Sequence, residues 1–214
     1  GSFDAFAANC TALVAGCPLG PDPRRFVEEL LDQATTAPIP SALAGETRQA
    51  TPGVIMTAVL SALYSTDSWP QLAQGLAAAR NGDSQQLFSL ADSYSGRLQD
   101  GTYTNLLDAN QAINCADTDP ATAVPEEEIR TLTTEWGQRF PLFGAGSAVG
   151  LNTCTGWDAE RTPLPERDAE GAAPILVIGN SGDPVTPLPG AVDLAEDLTS
   201  GVLLTWQGQG HTAY

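Results

Sequence analysis

Two short β-rich runs late in the chain, Ile175–Ile178 and Val202–Trp206, flank an amphipathic stretch from Leu188 to Leu198. Strand, helix and strand in that order form a β-α-β unit, and such units build parallel sheets. Everything from Asp22 to about Arg139 has the helical period instead. Asp22 can cap a helix with Pro23 at its first position, after which Phe26, Val27, Leu30, Leu31 and Ala34 form one apolar stripe. Thr51-Pro52 repeats that start signal before Val54, Ile55, Ala58, Val59, Leu60 and Leu63. Further helices are predicted from Trp69 to Arg80, Asp83 to Tyr94, about Tyr103 to Asn114, and Pro125 to Arg139. In the last of these, Glu126, Glu127 and Glu128 suit the positive end of the helix dipole. No strand pattern interrupts this region. The segment Phe140–Gly171, rich in glycine, proline and threonine, reads as loop.

The chemistry sits with the strands. Open α/β sheets place ligands and reacting groups at the carboxyl ends of their strands. Asp183, in Gly182-Asp183-Pro184, follows the first run, and His211, the only histidine, follows the second run 28 residues later. Separately, the aspartate could belong to an ordinary turn and the histidine could be structural. Together they supply complementary roles, a carboxylate that orients an imidazole and an imidazole that takes a proton from a nucleophile. The nucleophile itself is missing from the pattern. A serine on a strand-to-helix elbow reads G-x-S-x-G and precedes the aspartate and histidine, and no such pentad occurs. Ser147, in Gly144-Ala145-Gly146-Ser147, and Ser181, in Gly179-Asn180-Ser181-Gly182, lack the spacing, and their glycines read as turn or loop residues.

Composition narrows the partners. The 214 residues carry a net charge of -17, with nine basic residues, all arginine, against 26 acidic ones. Such a chain has no electrostatic footprint for nucleic acid or anionic lipid. No apolar stretch approaches the roughly 20 residues needed to span a bilayer. Asp117-Thr118-Asp119 with Glu128 as a twelfth residue imitates a calcium loop, but Thr122 stands where glycine is needed and Ala121 replaces a ligand. Gly144-Ala145-Gly146 lacks a preceding strand and a third glycine for dinucleotide binding. No metal or organic cofactor is expected.

Four cysteines, Cys10, Cys17, Cys115 and Cys154, allow three pairings, of which Cys10 with Cys17 and Cys115 with Cys154 is favoured. Zinc is the competing use, but there is no C-x-x-C pair and the lone histidine is distant in sequence. Free buried thiols are the other alternative. Persisting disulfides imply an oxidising, extracytoplasmic compartment.

Taken together, several motifs resemble those of the tripeptidyl aminopeptidase-like (TAP-like) α/β-hydrolases of actinobacteria, secreted serine peptidases related to proline iminopeptidases. The resemblance covers most of the chain. It rests on Asp4-Ala5-Phe6 running into Cys10, on Cys17-Pro18-Leu19-Gly20, on Ala112-Ile113-Asn114-Cys115-Ala116-Asp117, and on Cys154 followed by Trp157. Its most specific parts are Gly182-Asp183-Pro184-Val185-Thr186-Pro187 and Gly210-His211-Thr212-Ala213-Tyr214. It implies an α/β fold in which the C-terminal part of a hydrolase core follows a large helical lid. Residues 1–22 would be a disulfide-containing lead-in from the core, 23–171 the lid, and 172–214 the end of the core. By the same likeness Asp183 is the triad acid, His211 the base, and both cysteine pairs are disulfides.

The family's early strands, oxyanion loop and serine elbow are then expected before Gly1, and its closing helix after Tyr214. The implied function is part of a secreted serine hydrolase, an exopeptidase releasing short peptides or amino acids from peptide N-termini. Its substrate is a peptide or small ester, and its partner an N-terminal half carrying the serine, without which this chain is inactive. Acidic residues of the helical region such as Glu46, Asp67 and Asp92 could pair with a substrate's amino terminus. The alternative is a non-catalytic helical fragment that binds peptide or protein.

Overall fold

A computed structural model describes residues 1–162 and 168–213. Residues 163–167 of the segment read as loop, and Tyr214 of the last motif, lie outside the described residues. In chain order the elements are α1 (Ser2–Thr11), α2 (Pro23–Thr36), β1 (Ile39–Pro40), β2 (Gln49–Ala50), α3 (Pro52–Leu63), α4 (Trp69–Arg80) and α5 (Gln85–Ser95). Then follow α6 (Leu106–Asp117), α7 (Glu126–Arg139), α8 (Gly144–Gly150), β3 (Ile175–Gly182), α9 (Leu188–Asp197) and β4 (Gly201–Gln209). The chain divides into two compact units, Gly1–Tyr94 with Glu166–Tyr214, and Ser95–Pro165.

In the first unit the predicted start signals act as caps. The Asp22 carboxylate accepts the Arg25 N–H at 3.1 Å and the Thr51 hydroxyl accepts the Val54 N–H at 3.5 Å, each satisfying a donor that the first helical turn leaves free. The stripes they launch are buried: Val27, Leu30 and Ala34 on α2, and Ile55, Ala58, Val59, Ala62 and Leu63 on α3. Leu72 and Leu76 of α4 and Leu87 of α5 complete a core from which solvent is excluded. Helix α1, within the stretch expected only as a lead-in, adds Phe3 and Phe6, spaced to share one helical face. The Phe6 ring meets Trp69 edge-on at 6.0 Å, and Cys10 is bonded to Cys17.

Two features of this unit depart from expectation. The helical region does contain strands, the antiparallel pair β1 and β2, but at two residues each they are too short to leave a periodic signal. The buried Ser84 hydroxyl bonds to the Ile39 and Pro40 carbonyls, fixing that segment from afar. The β-α-β unit itself forms as read. β3 and β4 pair in parallel, in step from Ile175 opposite Gly201 to Asn180 opposite Trp206. Their apolar faces are largely open, with Leu176 58%, Val202 51% and Trp206 55% exposed.

In the second unit α7 lies against α8, and Cys115 is bonded to Cys154. Helix α8 corrects the expectation of a loop over Phe140–Gly171. Its sequence, Gly-Ala-Gly-Ser-Ala-Val-Gly, has little intrinsic helix preference. Packing decides instead, because a side chain on Gly144 would strike the Trp136 carbonyl, so glycine permits the close approach to α7.

Candidate active site

Asp183 is the first residue beyond β3 and His211 the second beyond β4. The turn that carries Asp183 follows from its sequence. Pro184 presets the backbone after the aspartate, and the Asp183 side chain folds over it to accept the N–H groups of Val185 and Thr186 on Oδ1, both at 2.8 Å. Its Oδ2 accepts the Thr186 hydroxyl and the Thr212 N–H, both at 3.0 Å. His211 Nδ1 sits 3.0 Å from each carboxylate oxygen.

Asp183 is only 8% exposed. Burial alone pushes its carboxyl upward, but the N–H groups of Thr186, Thr212 and Val185, with His211, outweigh it and hold the group well below the usual carboxylate range. A carboxylate so held stays ionised, and the tautomer it favours carries the imidazole proton on Nδ1.

The strands are adjusted to bring the two groups together. After Asn180 opposite Trp206 the register slips, so that Gly182 faces Gln209, a bulge that re-aims the end of β4. Asn180, 3% exposed, sends its amide nitrogen to the Gly210 carbonyl at 2.8 Å. Thr212 has a positive φ of 65°, strained for a β-branched residue, and this conformation turns its N–H toward Asp183. The helical region reaches the same point, since the His211 N–H donates to the Tyr64 carbonyl at 2.7 Å.

Against this geometry stand the comparisons. Residues 140–214 match the family model described as TAP-like protein, an α/β-hydrolase family. This segment belongs to the TAP-like α/β-hydrolases. The similarity of the whole chain extends further. Serine protease Hip1 of Mycobacterium tuberculosis is 35% identical over 225 residues, which take in 99% of this chain and 42% of that protein. Carboxylesterase B of the same species is 33% identical over 99% of this chain and 41% of its own length. The chain thus spans less than half of the length of these relatives.

Other candidates fall away or gain a role. Arg48 binds Glu46 and Asp92 together, its guanidinium nitrogens 2.6 Å from Glu46 and 2.7 Å from Asp92, so these two acids are engaged rather than open to a substrate amine. Of the three acids considered for that task, Asp67 stays exposed. The Ser181 hydroxyl is spent on Gly208, accepting its N–H at 3.2 Å. Ser147 lies within α8. The roles of Thr186, Asn180, Thr212 and Tyr64 went unread in sequence. Thr186, three residues after the aspartate, was the one within reach of local turn chemistry.

Proposed function

We propose that this chain is the acid- and base-bearing part of a secreted serine hydrolase, an exopeptidase that frees short peptides or amino acids from peptide N-termini. The observation that carries the proposal is the Asp183–His211 pair, with its carboxylate saturated by donors and Nδ1 at 3.0 Å from both oxygens. In this arrangement Asp183 fixes the imidazole orientation and stabilises the imidazolium without taking its proton. Nε2 accepts the proton of a serine hydroxyl as that oxygen attacks the scissile carbonyl. The imidazolium then returns the proton to the leaving amine, and a water repeats the cycle to release the acyl group.

The serine comes from an N-terminal segment, since the 214 residues hold no G-x-S-x-G elbow. The open faces of β3 and β4 support this reading, because parallel strands are ordinarily covered on both sides. Residues 23–171 would serve as the lid over the site. The two disulfides support an extracytoplasmic location, and among the described residues no helix is long and apolar enough to cross a membrane.

Complementation tests the proposal. Adding an N-terminal segment that contains the serine elbow should restore hydrolysis of an aminoacyl or short peptidyl reporter, while the chain alone shows none. A well-folded complex inactive on every ester and amide would overturn it.

A further inference from the structure

We infer that Tyr64 is a positioning residue for His211, gripping the imidazole from the helical side while Asp183 holds it from the strand side. The consequence for catalysis rests on the proposed role of His211 as base, whereas the contact itself does not. His211 belongs to no helix or strand. One hydrogen-bonded nitrogen leaves a ring free to tilt about that bond, so the direction of the other nitrogen needs a second restraint.

Tyr64 supplies the restraint at two places, and the loop is built to reach it. Its carbonyl accepts the His211 N–H at 2.7 Å. Its ring meets the imidazole edge-on, with centroids 5.1 Å apart and planes at 72°, a preferred aromatic arrangement. Gly210 has φ 100°, and a Cβ there would come within 2.8 Å of the Tyr64 carbonyl oxygen, so glycine lets the loop close on the tyrosine. Tyr64 is itself fixed. It caps α3, whose inner face is buried, and its ring is backed edge-on by Tyr94 at 5.8 Å. Burial also pushes its hydroxyl up to about 12, so the ring facing the imidazole is neutral at working pH. The row Tyr94, Tyr64, His211 therefore links α5 and α3 to the base.

Because His211 is the only histidine, its ring protons give a single pair of nuclear magnetic resonance signals in this chain. Tyr64→Leu should move those signals, and Tyr64→Phe, which keeps the ring, should leave them in place. If Tyr64→Leu does not fold, Tyr64→Met removes the ring at similar volume and is read in its stead. In the complemented enzyme Tyr64→Leu should lower kcat by roughly ten- to a hundredfold, the scale of a misplaced catalytic group. KM should stay within about twofold of wild type, since a positioning residue acts through the base and not through a substrate contact. Tyr64→Phe should restore the rate. Unmoved His211 signals in a folded ring-less variant would overturn the inference, as would moved signals with an unchanged kcat. Moved signals in a complex whose wild type is inactive would leave the contact standing and count against the triad.

Discussion

The two units hold themselves together differently. In the first, helices α2 to α5 bury whole side chains, with Val27, Leu30, Ile55, Val59, Leu72, Leu76 and Leu87 all at 0% exposure. In the second, burial reaches Cys115, Ile129, Leu142 and Ala148, while Leu106 and Ile113 stand 63% and 61% exposed. A unit spanning residues 95–165 is of the size at which a single core rarely supplies more than about 3–5 kcal/mol and a covalent staple becomes important. Burial supports one unit, and the Cys115–Cys154 bond carries a larger share in the other. The candidate chemistry follows the same division, because Asp183, His211 and the residues that position them belong to the better packed unit.

The sharpest test of that division is chemical. In a complemented enzyme His211→Ala should abolish hydrolysis. Asp183→Asn should lower it by up to about 10⁴, the scale seen when a triad histidine is left in the wrong tautomer. Ser147→Ala, in the second unit, should leave the rate near wild type. Activity surviving His211→Ala, or lost with Ser147→Ala, would break the comparison.

Stability gives the next largest effects. In the chain-entropy model, removing the Cys115–Cys154 bond, whose partners are 39 residues apart, costs about 4 kcal/mol. Removing Cys10–Cys17, with a separation of 7, costs about 2.5 kcal/mol. Paired Cys→Ser variants followed by denaturant unfolding and hydrogen exchange should show the first loss concentrated in residues 95–162. In the other unit Leu72→Ala should cost about 2–5 kcal/mol, since a side chain at 0% exposure leaves a cavity. An equal loss of exchange protection in both units when Cys115 and Cys154 alone are replaced would erase the distinction.

What could be read in the sequence tracks the range of the forces involved. The bounds of α4 match the expected Trp69 to Arg80, and α7 begins one residue after Pro125, because stripes and caps are local signals. The strand-end positions of Asp183 and His211 were legible because strand ends are legible. Helix α8 was not, since contact with α7 overrides a weak propensity. Nor were Asn180 and Tyr64, whose partners lie 30 residues away in the first case and across the fold in the second. The engagement of Asp92 was hidden for the same reason, since its pairing with Arg48 joins residues 44 apart, whereas Glu46 lies only two residues from that arginine.

Acid should also separate the wild type from a variant. The folded-state pKa of Asp183 lies below its unfolded value, near 3.9 for a free aspartate. Its contribution to stability is therefore fully present above that pH and is lost as pH falls toward the folded value. Unfolding followed between pH 6 and 2 should show a steeper decline in wild type than in Asp183→Asn. Superimposable acid limbs would mean that the hydrogen bonds to Asp183 in the folded state are not made in solution.

The smallest expected effect concerns the exposed apolar residues of the second unit. Leu106 is at the start of α6 and Ile113 lies two turns further along it, and both side chains are mostly in water. Replacing either with serine removes little buried area, and surface substitutions of this kind usually fall within about 0.5 kcal/mol. The loss of helix preference is also small at a single position, a few tenths of a kcal/mol. Leu106→Ser and Ile113→Ser should thus leave the denaturation midpoint of this chain almost unchanged, although Leu72→Ala, a smaller change in polarity, lowers it sharply. Solvent exposure, not hydrophobicity, sets that difference. A measured cost above about 1.5 kcal/mol for either serine variant would show that α6 is covered in solution, and the contrast between a packed unit and a stapled one would then fail at its weaker side.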